Sequence, residues 1–323
     1  METYAGIMNV VRGLPRIFRD ATAILAESIV WDPAGFVLWC DITSGLLYRC
    51  PIDGLDDTVI ELPPPLASFA QVAERSEDAA TRSDDVAERS EDAATRSDDA
   101  AARSGYVASL GDRVVLADAV GGIQILARIE HAHAGLRLNE GKCDPYGRWI
   151  TGSMNLTTGE PDGALYSVTA DGRVRVLRGG FGVANGFEWS LDDTEMFFTD
   201  TAVKTIYRAP YSETGELGNV KVFHCGEPHD GLTIDAEGFL WGGIYGGGRV
   251  VRYSPEGVED VMVELPAPNI TSVAFGGPGM STLFVGSARE NLTEEQLEAH
   301  PLSGAIFAID TAPNGRPARH FGA

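Results

Sequence analysis

The stretch DGLTIDAEG, residues 230–238, decides the fold because its layout occurs four times along the chain. The other copies are ESIVWDPAG (27–35), NEGKCDPYG (139–147) and NGFEWSLDD (185–193). In each copy a polar residue is followed five positions later by Asp or Ser, which opens a turn, and a second strand-like run comes next. A layout that recurs in this way indicates an architecture of repeated structural units.

Two further units, at residues 105–118 and 271–287, are similar to these copies but less regular. Between the units the chain consists of short runs rich in β-branched and aromatic residues, separated by Gly, Pro, Asp and Asn, and long amphipathic helices are nearly absent. Six units of about four strands each predict an all-β protein, a six-bladed β-propeller that residues 1–323 form as a single domain.

One segment, residues 72–104, interrupts a predicted hairpin with a fourteen-residue duplication built on a seven-residue unit. Asp and Arg recur four positions apart in it, as in Asp78 and Arg82, which favours a helix. Its thin stripe of Ala and Val is too small for a strong coiled-coil seam, so we predict a solvated helical insertion, with an oligomerisation or partner arm as the alternative. This hairpin follows the end of an inner strand. We therefore expect the insertion to lie on the face opposite the one where the inner strands begin.

Composition narrows the range of partners. A formal net charge of -22 argues against nucleic acid, which is bound through clusters of Lys and Arg, and suits small molecules or cations, although it could equally be a solvated surface. The chain has no apolar run of about eighteen residues and no secretory signal at its start, so we expect no membrane segment and a cytoplasmic location. Its four cysteines lack CxxC spacing and predict reduced structural thiols, with a zinc site or a disulfide as the alternative.

The repeats also place four polar residues at equivalent positions. If each copy begins the innermost strand of a blade, Glu27, Asn139, Asn185 and Asp230 converge on one rim of the central channel. Carboxylate and amide oxygens are ligands that suit Ca²⁺, Mg²⁺ or Mn²⁺, and Zn²⁺ also accepts carboxylate oxygen. The alternative is that Asn-Gly and Asp-Gly are only turn residues before a strand.

The motifs ESIVW, RLNEGKCDPYGRW, NGFEWSLD and DGLTIDAEGFLWGGIYGGGRVVR give the chain a wider resemblance. From about Ala23 to Asp310, apart from the insertion, it resembles the family of gluconolactonase, regucalcin (also called senescence marker protein) and luciferin-regenerating enzyme. The resemblance implies a six-bladed propeller with one divalent metal ion in its channel. The residues that match the family's ligands are Glu27, Asn185 and Asp230.

The same resemblance implies roles for other residues. Arg137 and Asn139 match residues that contact the hydroxyl and carbonyl oxygens of the substrate, although Arg137 alone could also be an exposed charge at a strand edge. The family often has Pro before the catalytic Asp, where this chain has His229, which we expect either to contact substrate or to close a turn. Glu160 or Asp162 could replace an acidic substrate-binding residue in the loop after Met154.

These residues predict a divalent-metal-dependent lactonase that opens a sugar-acid lactone, such as glucono-, xylono-, arabino- or galactonolactone, to its free acid. The metal would polarise the lactone carbonyl, and Asp230 would act as general base. A promiscuous esterase or phosphotriesterase on the same metal site is one alternative. A propeller that binds calcium or another ligand without catalysis is the other.

Two other catalytic arrangements have weaker support. A Ser-His-Asp triad is disfavoured because His229 and Asp230 are neighbours on a predicted strand and therefore point to opposite faces, and because no G-x-S-x-G motif occurs. His131 and His133 resemble a metal-binding pair, but no third ligand is evident nearby in the sequence. The oligomeric state is not predicted.

Overall fold

The computed structural model of the chain describes residues 10–54, 56–73, 105–157 and 160–323. In chain order, the strands of the first half are β1 (Arg16–Arg19), β2 (Ala26–Asp32), β3 (Phe36–Asp41), β4 (Leu46–Pro51), β5 (Thr58–Glu61), β6 (Leu66–Gln71), β7 (Tyr106–Leu110), β8 (Arg113–Ala117), β9 (Ile123–Arg128), β10 (Leu136–Cys143), β11 (Trp149–Asn155) and β12 (Gly163–Val168).

Those of the second half are β13 (Val174–Phe181), β14 (Ala184–Trp189), β15 (Glu195–Asp200), β16 (Thr205–Pro210), β17 (Lys221–Cys225), β18 (His229–Ile234), β19 (Leu240–Ile244), β20 (Arg249–Tyr253), β21 (Glu259–Glu264), β22 (Asn269–Gly276), β23 (Thr282–Ala288) and β24 (Ile306–Asp310). Short helical segments include α1 (Glu294–Ala299) and two 3₁₀ turns, Thr201–Val203 and Pro278–Met280.

The strands form six antiparallel sheets of four strands each. The first strands of the sheets, β2, β6, β10, β14, β18 and β22, pack against one another around a central channel. This arrangement confirms the six-bladed β-propeller predicted from the repeats. We call the face on which these six inner strands begin the ligand face, and the face on which they end the far face.

Both ends of the chain contribute to blade six, which contains β22, β23 and β24 from the end of the chain and β1 from its start. β1 pairs antiparallel with β24 through Arg16 opposite Ala308 and Ile17 opposite Phe307. The Arg16 guanidinium also donates to Asp310 at 3.1 Å. The ring is therefore closed by a pairing between strands that lie almost the whole chain apart.

The hydrophobic core is divided into six clusters, and each cluster lies between two neighbouring blades. The cluster between blades three and four, for example, packs Leu165 against Phe187 and Phe198. Trp39, Trp149, Trp189 and Trp241 are among the largest fully buried side chains. Each sheet thus buries apolar side chains on both of its faces, and a blade removed from the ring would expose both.

The Asp of the repeated layout binds the turn that it opens. In blade five the fully buried Asp235 accepts hydrogen bonds from the backbone N–H groups of Glu237 and Phe239, at 3.0 Å each, and from the Trp241 indole at 2.9 Å. Arg252, which is also buried, donates to the same carboxylate at 2.8 Å. In blade one the equivalent Asp32 accepts one backbone bond, from Ala34 at 2.9 Å. These bonds fix the hairpins at the far face.

The predicted insertion lies almost wholly outside the described residues, because residues 74–104 are not among them. Its helical character, and the assignment of residues 1–323 to a single domain, therefore stay predictions. The flanking residues are described: β6 ends at the far face, and the Val72 N–H donates to the Gly105 carbonyl at 2.9 Å. The described residues on either side of the insertion therefore lie opposite the ligand face, and the position of the insertion itself stays a prediction.

Two further expectations concern the whole chain. Cys40, Cys50 and Cys143 are buried, Cys225 is exposed, and none of them forms a disulfide. This agrees with the predicted thiols. In the described part of the chain, no helix has the length and apolar character needed to cross a membrane.

The larger number of hydrogen bonds at Asp235 predicts that its turn contributes more to stability than the equivalent turn at Asp32. Asp235→Ala should lower the free energy of unfolding by about 3–5 kcal/mol, because it leaves the Trp241 indole and two backbone N–H groups without their acceptor. Arg252 keeps its ion pairs with Glu237 and Asp260. Asp32→Ala, the matched control, should cost about 1 kcal/mol, because it loses one backbone bond and a long, partly exposed ion pair with Arg49. Urea unfolding measures both, and equal losses in the two variants would contradict this account.

Candidate metal centre

Each of the six inner strands carries one extra residue near its start, a β-bulge. In blade one, for example, Glu27 pairs with Cys40 whereas Val30 pairs with Leu38, so the inner strand has one residue more than its neighbour. Ser28 in this bulge has a φ of 51°, in the left-handed region. A bulge interrupts strict alternation and changes the direction of the side chains around it. The repeated bulges therefore control which side chains face the channel at the ligand face.

Three acidic side chains meet in the channel at the ligand face. Glu27 of blade one, Glu140 of blade three and Asp230 of blade five each supply a carboxylate oxygen, and these oxygens all lie within 4.8 Å of one another. Glu27 and Asp230 are only 6% and 4% exposed, and Glu140 is half-buried. We call these three residues the acidic cluster. Among the described residues, it is the one group of His, Cys, Asp or Glu side chains with this spacing.

Two members of the acidic cluster, Glu27 and Asp230, were expected at the metal, and Glu140 was missed. Strict strand alternation would turn Glu140 away from the side of its neighbour Asn139. The bulge between Leu138 and Gly141 instead brings the Glu140 carboxylate to the other two. The available signal was an acidic residue directly beside the aligned polar position of the second repeat.

Burial and mutual repulsion of the carboxylates in the acidic cluster favour the binding of a positive charge. Burial and the charges of Asp230 and Glu140 raise the pKa of Glu27 well above its usual range. Burial raises the pKa of Asp230 as well, and the Glu140 charge raises it further. Burial also raises the pKa of Glu140. Arg137 opposes the effect at Glu27 and Asp230 but does not cancel it.

The donor atoms fit a divalent cation. Asp230 Oδ1 and Ser28 Oγ are buried and, within the described part of the chain, have no hydrogen-bond partner. Buried polar atoms are nearly always hydrogen-bonded, so a carboxylate oxygen left without a donor is available to another positively charged group. Three converging carboxylates are ligands that hard cations such as Ca²⁺, Mg²⁺ and Mn²⁺ prefer.

The remaining expected site residues form a hydrogen-bonded chain beside the acidic cluster. Arg137 Nη1 donates to Asn139 Oδ1 at 2.8 Å, and Asn139 Nδ2 donates to Asn185 Oδ1 at 2.7 Å. Asn185 Nδ2 donates in turn to Thr201 Oγ1 at 3.1 Å. An amide oxygen has two lone pairs, so this arrangement leaves Asn185 Oδ1 able to bind a cation as well. Its role as a ligand stays a prediction.

Arg137 is close to the charges of the site. Burial lowers the pKa of its guanidinium, while the negative charges of Glu290, Glu27 and Asp230 raise it. Its hydrogen bonds, to Leu138 O and Asn139 Oδ1, both come from Nη1. Among the described residues this leaves its Nε and Nη2 donors for a substrate, and contact with substrate stays a prediction for both Arg137 and Asn139.

His229 lies away from the channel mouth. Its side chain is fully buried in blade five, with Nε2 2.7 Å from the Tyr253 hydroxyl and Nδ1 3.0 Å from the Glu227 carbonyl. Burial lowers the pKa of His229 to about 3. The opposite orientation of His229 and Asp230 agrees with the argument against a triad. The His229 ring packs between blades five and four, with its centroid 5.8 Å from that of His224, and a contact of His229 with substrate stays a prediction.

The other candidates from the sequence lie in loops at the ligand face. His133 Nε2 is 2.8 Å from Asp162 Oδ2, and Asn155 Nδ2 donates to Asp162 Oδ1 at 2.9 Å. His131 does not share a partner with His133, and its ring packs edge-on against Tyr166. Among the described residues, neither histidine belongs to a closely spaced group of three metal-ligating side chains. A substrate contact from Asp162 stays a prediction.

Comparisons with known proteins agree with this geometry. The sequence profile described as the SMP-30/Gluconolactonase/LRE-like region matches residues 25–289. The chain is 32% identical over 296 residues to 6-deoxy-6-sulfogluconolactonase of Pseudomonas putida, which covers 88% of this chain and 91% of that protein. It is 30% identical over 320 residues to L-arabinolactonase of Azospirillum brasilense, which covers 96% of both chains.

A solved structure supports the same conclusion. The calcium-binding protein regucalcin of Agrobacterium tumefaciens superposes with a TM-score of 0.82 at 27% identity, over 96% of this chain and 97% of that one. The profile match covers most of the chain, and it includes all three members of the acidic cluster. The chain therefore belongs to the SMP-30/gluconolactonase/LRE-like family.

Proposed function

We propose that this protein is a divalent-metal-dependent lactonase that hydrolyses a sugar-acid lactone, such as glucono-, xylono-, arabino- or galactonolactone, to the free acid. The observation that carries the proposal is the acidic cluster, in which one carboxylate oxygen of each residue lies within 4.8 Å of the others in the channel at the ligand face. Two relatives that cover most of the chain are named for sugar lactones, which supports this substrate class.

Glu27, Glu140 and Asp230 would hold the cation, together with the amide oxygen of Asn185. A divalent cation bound there would polarise the lactone carbonyl and lower the pKa of a nearby water. Without a cation, the fold holds three carboxylates close together, where they repel one another. A bound cation would relieve this repulsion, which favours tight binding.

Arg137 and Asn139 would orient the substrate. The guanidinium has donors directed away from its bond to Asn139 and can bind the hydroxyl or carbonyl oxygens of a polyhydroxylated ring. Asn139 is hydrogen-bonded to both Arg137 and Asn185. The donors proposed for substrate and the proposed metal ligand Asn185 are therefore fixed relative to each other. Fixing the ring in this way can lower the barrier by several kcal/mol, a value on the order of known positioning effects.

Asp230 would act as general base. Its carboxylate has two oxygens, so one can bind the cation while the other accepts a proton from the attacking water. The water oxygen then bonds to the carbonyl carbon, the ring C–O bond breaks, and the departing alkoxide takes up a proton. The products are the carboxylic acid and the free hydroxyl of an open-chain aldonic acid.

Lactone hydrolysis tests the proposal directly. Protein stripped with a chelator and then supplied separately with Ca²⁺, Mg²⁺, Mn²⁺ or Zn²⁺ should hydrolyse at least one aldonolactone of the panel faster than the spontaneous rate, as followed at constant pH by titration of the acid formed. Asp230→Asn should lower kcat/KM by about 10²–10⁴-fold because it removes the base.

Glu227→Gln is the matched control, since it makes the same change from a carboxylate to an amide at the ligand face but outside the acidic cluster. Glu227 pairs with Arg249 at 2.8 Å in a partly exposed ion pair, so we expect less than about a twofold change in kcat/KM. Cation binding without turnover of any aldonolactone would instead support the non-catalytic binding propeller. Turnover restricted to simple esters or phosphotriesters would support the promiscuous hydrolase.

Thermal unfolding tests the role of Glu140. Saturating Ca²⁺ or Mn²⁺ should raise the Tm of the stripped protein, with a stabilisation of about 2.7 kcal/mol at a concentration of 100 times Kd. Glu140→Gln should raise the Tm of the metal-free protein, because one repelling charge is lost, and should reduce the increase that the cation produces. Scanning fluorimetry with and without cation measures both quantities. An undiminished cation effect in Glu140→Gln, with Glu227→Gln as reference, would remove Glu140 from the ligand set.

A further inference from the structure

We propose that Lys142, Glu188 and Arg316 are positioning residues, which hold the three strands that carry Glu140, Asn185 and Asp230 at the separation needed to share one cation. We call these three residues the brace. The proposal rests on the proposed function only in taking a divalent cation as the ligand of the acidic cluster.

The centre of the brace is a buried carboxylate between two cations. Glu188 is 5% exposed, and its Oε2 accepts from Lys142 Nζ at 2.8 Å while its Oε1 accepts from Arg316 Nη2 at 2.5 Å. Burial alone would raise the pKa of Glu188, but Lys142 and Arg316 outweigh it and lower the pKa to about 2. The brace therefore consists of charged groups whose geometry is fixed from both sides.

Two members of the brace, Lys142 and Glu188, follow residues of the site on the same inner strands. Lys142 follows Glu140 by two positions on β10, and Glu188 follows Asn185 by three on β14. Lys142 Nζ also donates to the backbone carbonyl of Leu232 at 2.9 Å, two positions after Asp230 on β18. A single ammonium group thus connects three neighbouring inner strands directly beneath the groups that they present.

The channel contains a small cavity at this level, and the brace lies at its wall. A cavity of about 70 Å³ is lined by Glu140, Lys142, Glu188 and Arg316, together with other residues of the inner strands. Packing between neighbouring blades sets the approximate spacing of these strands, but no packed atoms fix the direction of the side chains that face the cavity. The directional bonds of the brace supply that constraint across the gap.

Arg316 comes from the C-terminal segment, which crosses the far face beneath the channel. The Ala236 N–H donates to the Asn314 carbonyl at 2.7 Å, and the Phe321 N–H donates to the Gln71 carbonyl at 2.9 Å, so the segment is attached to blades five and two. Arg316 itself also donates to the Trp189 carbonyl at 2.9 Å. The segment therefore presents Arg316 to Glu188 from a fixed backbone.

The same segment offers a matched control in Arg319. Both Arg316 and Arg319 bind Asp193, but Arg316 also reaches Glu188. Loss of either arginine removes a contact between the segment and the far face. Loss of Arg316 removes in addition a member of the brace.

The test measures cation binding without substrate, so it does not depend on catalysis. Chelator-stripped wild type, Arg316→Met, Lys142→Met and Arg319→Met are titrated with Ca²⁺ and Mn²⁺ by calorimetry, and the Tm of each metal-free protein is recorded. We expect Arg316→Met and Lys142→Met to weaken cation binding by about 10–100-fold, the range known for residues that orient metal ligands. Arg319→Met should stay within about twofold of wild type, and Arg316→Lys, which keeps the charge, should recover part of the affinity.

The outcomes separate the two proposals. Wild-type cation affinity in Arg316→Met and Lys142→Met, with only a lower Tm, would overturn the brace and show a structural role alone. If Arg316→Met does not fold, Lys142→Met decides in the same way, because it leaves the pair of Glu188 and Arg316 intact. A wild type that binds cation but hydrolyses no lactone would refute the lactonase and leave the brace standing. A wild type that binds no divalent cation would overturn both.

Discussion

The rest of the structure depends on the burial of both faces of every sheet. Each hydrophobic cluster lies between two blades, so no blade can bury its apolar side chains without a neighbour on each side. A row of such sheets would end with two exposed apolar faces, and only a closed ring removes them. Closure also brings the six inner strands around one axis, which is why residues far apart in the chain, such as Glu27 and Asp230, meet at a single point. The site is thus a consequence of the same constraint that stabilises the fold.

Much of this could be predicted from the sequence because both the turn residues and the strand periodicity are local signals. The Asp of each layout binds the adjacent backbone N–H groups, so Asp144 and Asp235 mark their hairpins without reference to the rest of the chain. Matching the layouts then aligned Glu27 with Asp230 correctly. What alternation could not provide is the bulge, since the extra residue of an inner strand is defined by its pairing partner and not by its own sequence. Glu140 was missed for this reason.

The environment of His229 was unpredictable for a related reason. The sequence predicts that His229 and Asp230 point to opposite sides of their strand, and the structure agrees. Its partner Tyr253 is 24 positions further along the chain, and only the pairing of β18, β19 and β20 brings the ring and the hydroxyl together. The brace shows the same limit, because Arg316 and Glu188 are separated by 128 positions. Contacts across blades follow from the closed ring and leave no local pattern.

The pairing of β1 with β24 has a consequence for the order in which the protein becomes functional during synthesis. Domains begin to fold from the N-terminus while the ribosome is still adding residues. Here β1 has no partner until β24 has emerged. Until then the ring is not closed, and the outer faces of blades one and five have no neighbouring blade to cover them. Arg316 follows β24 by only a few residues and is released later still. Until Arg316 has emerged, the nascent chain therefore carries its acidic residues without the contact that would hold their strands together.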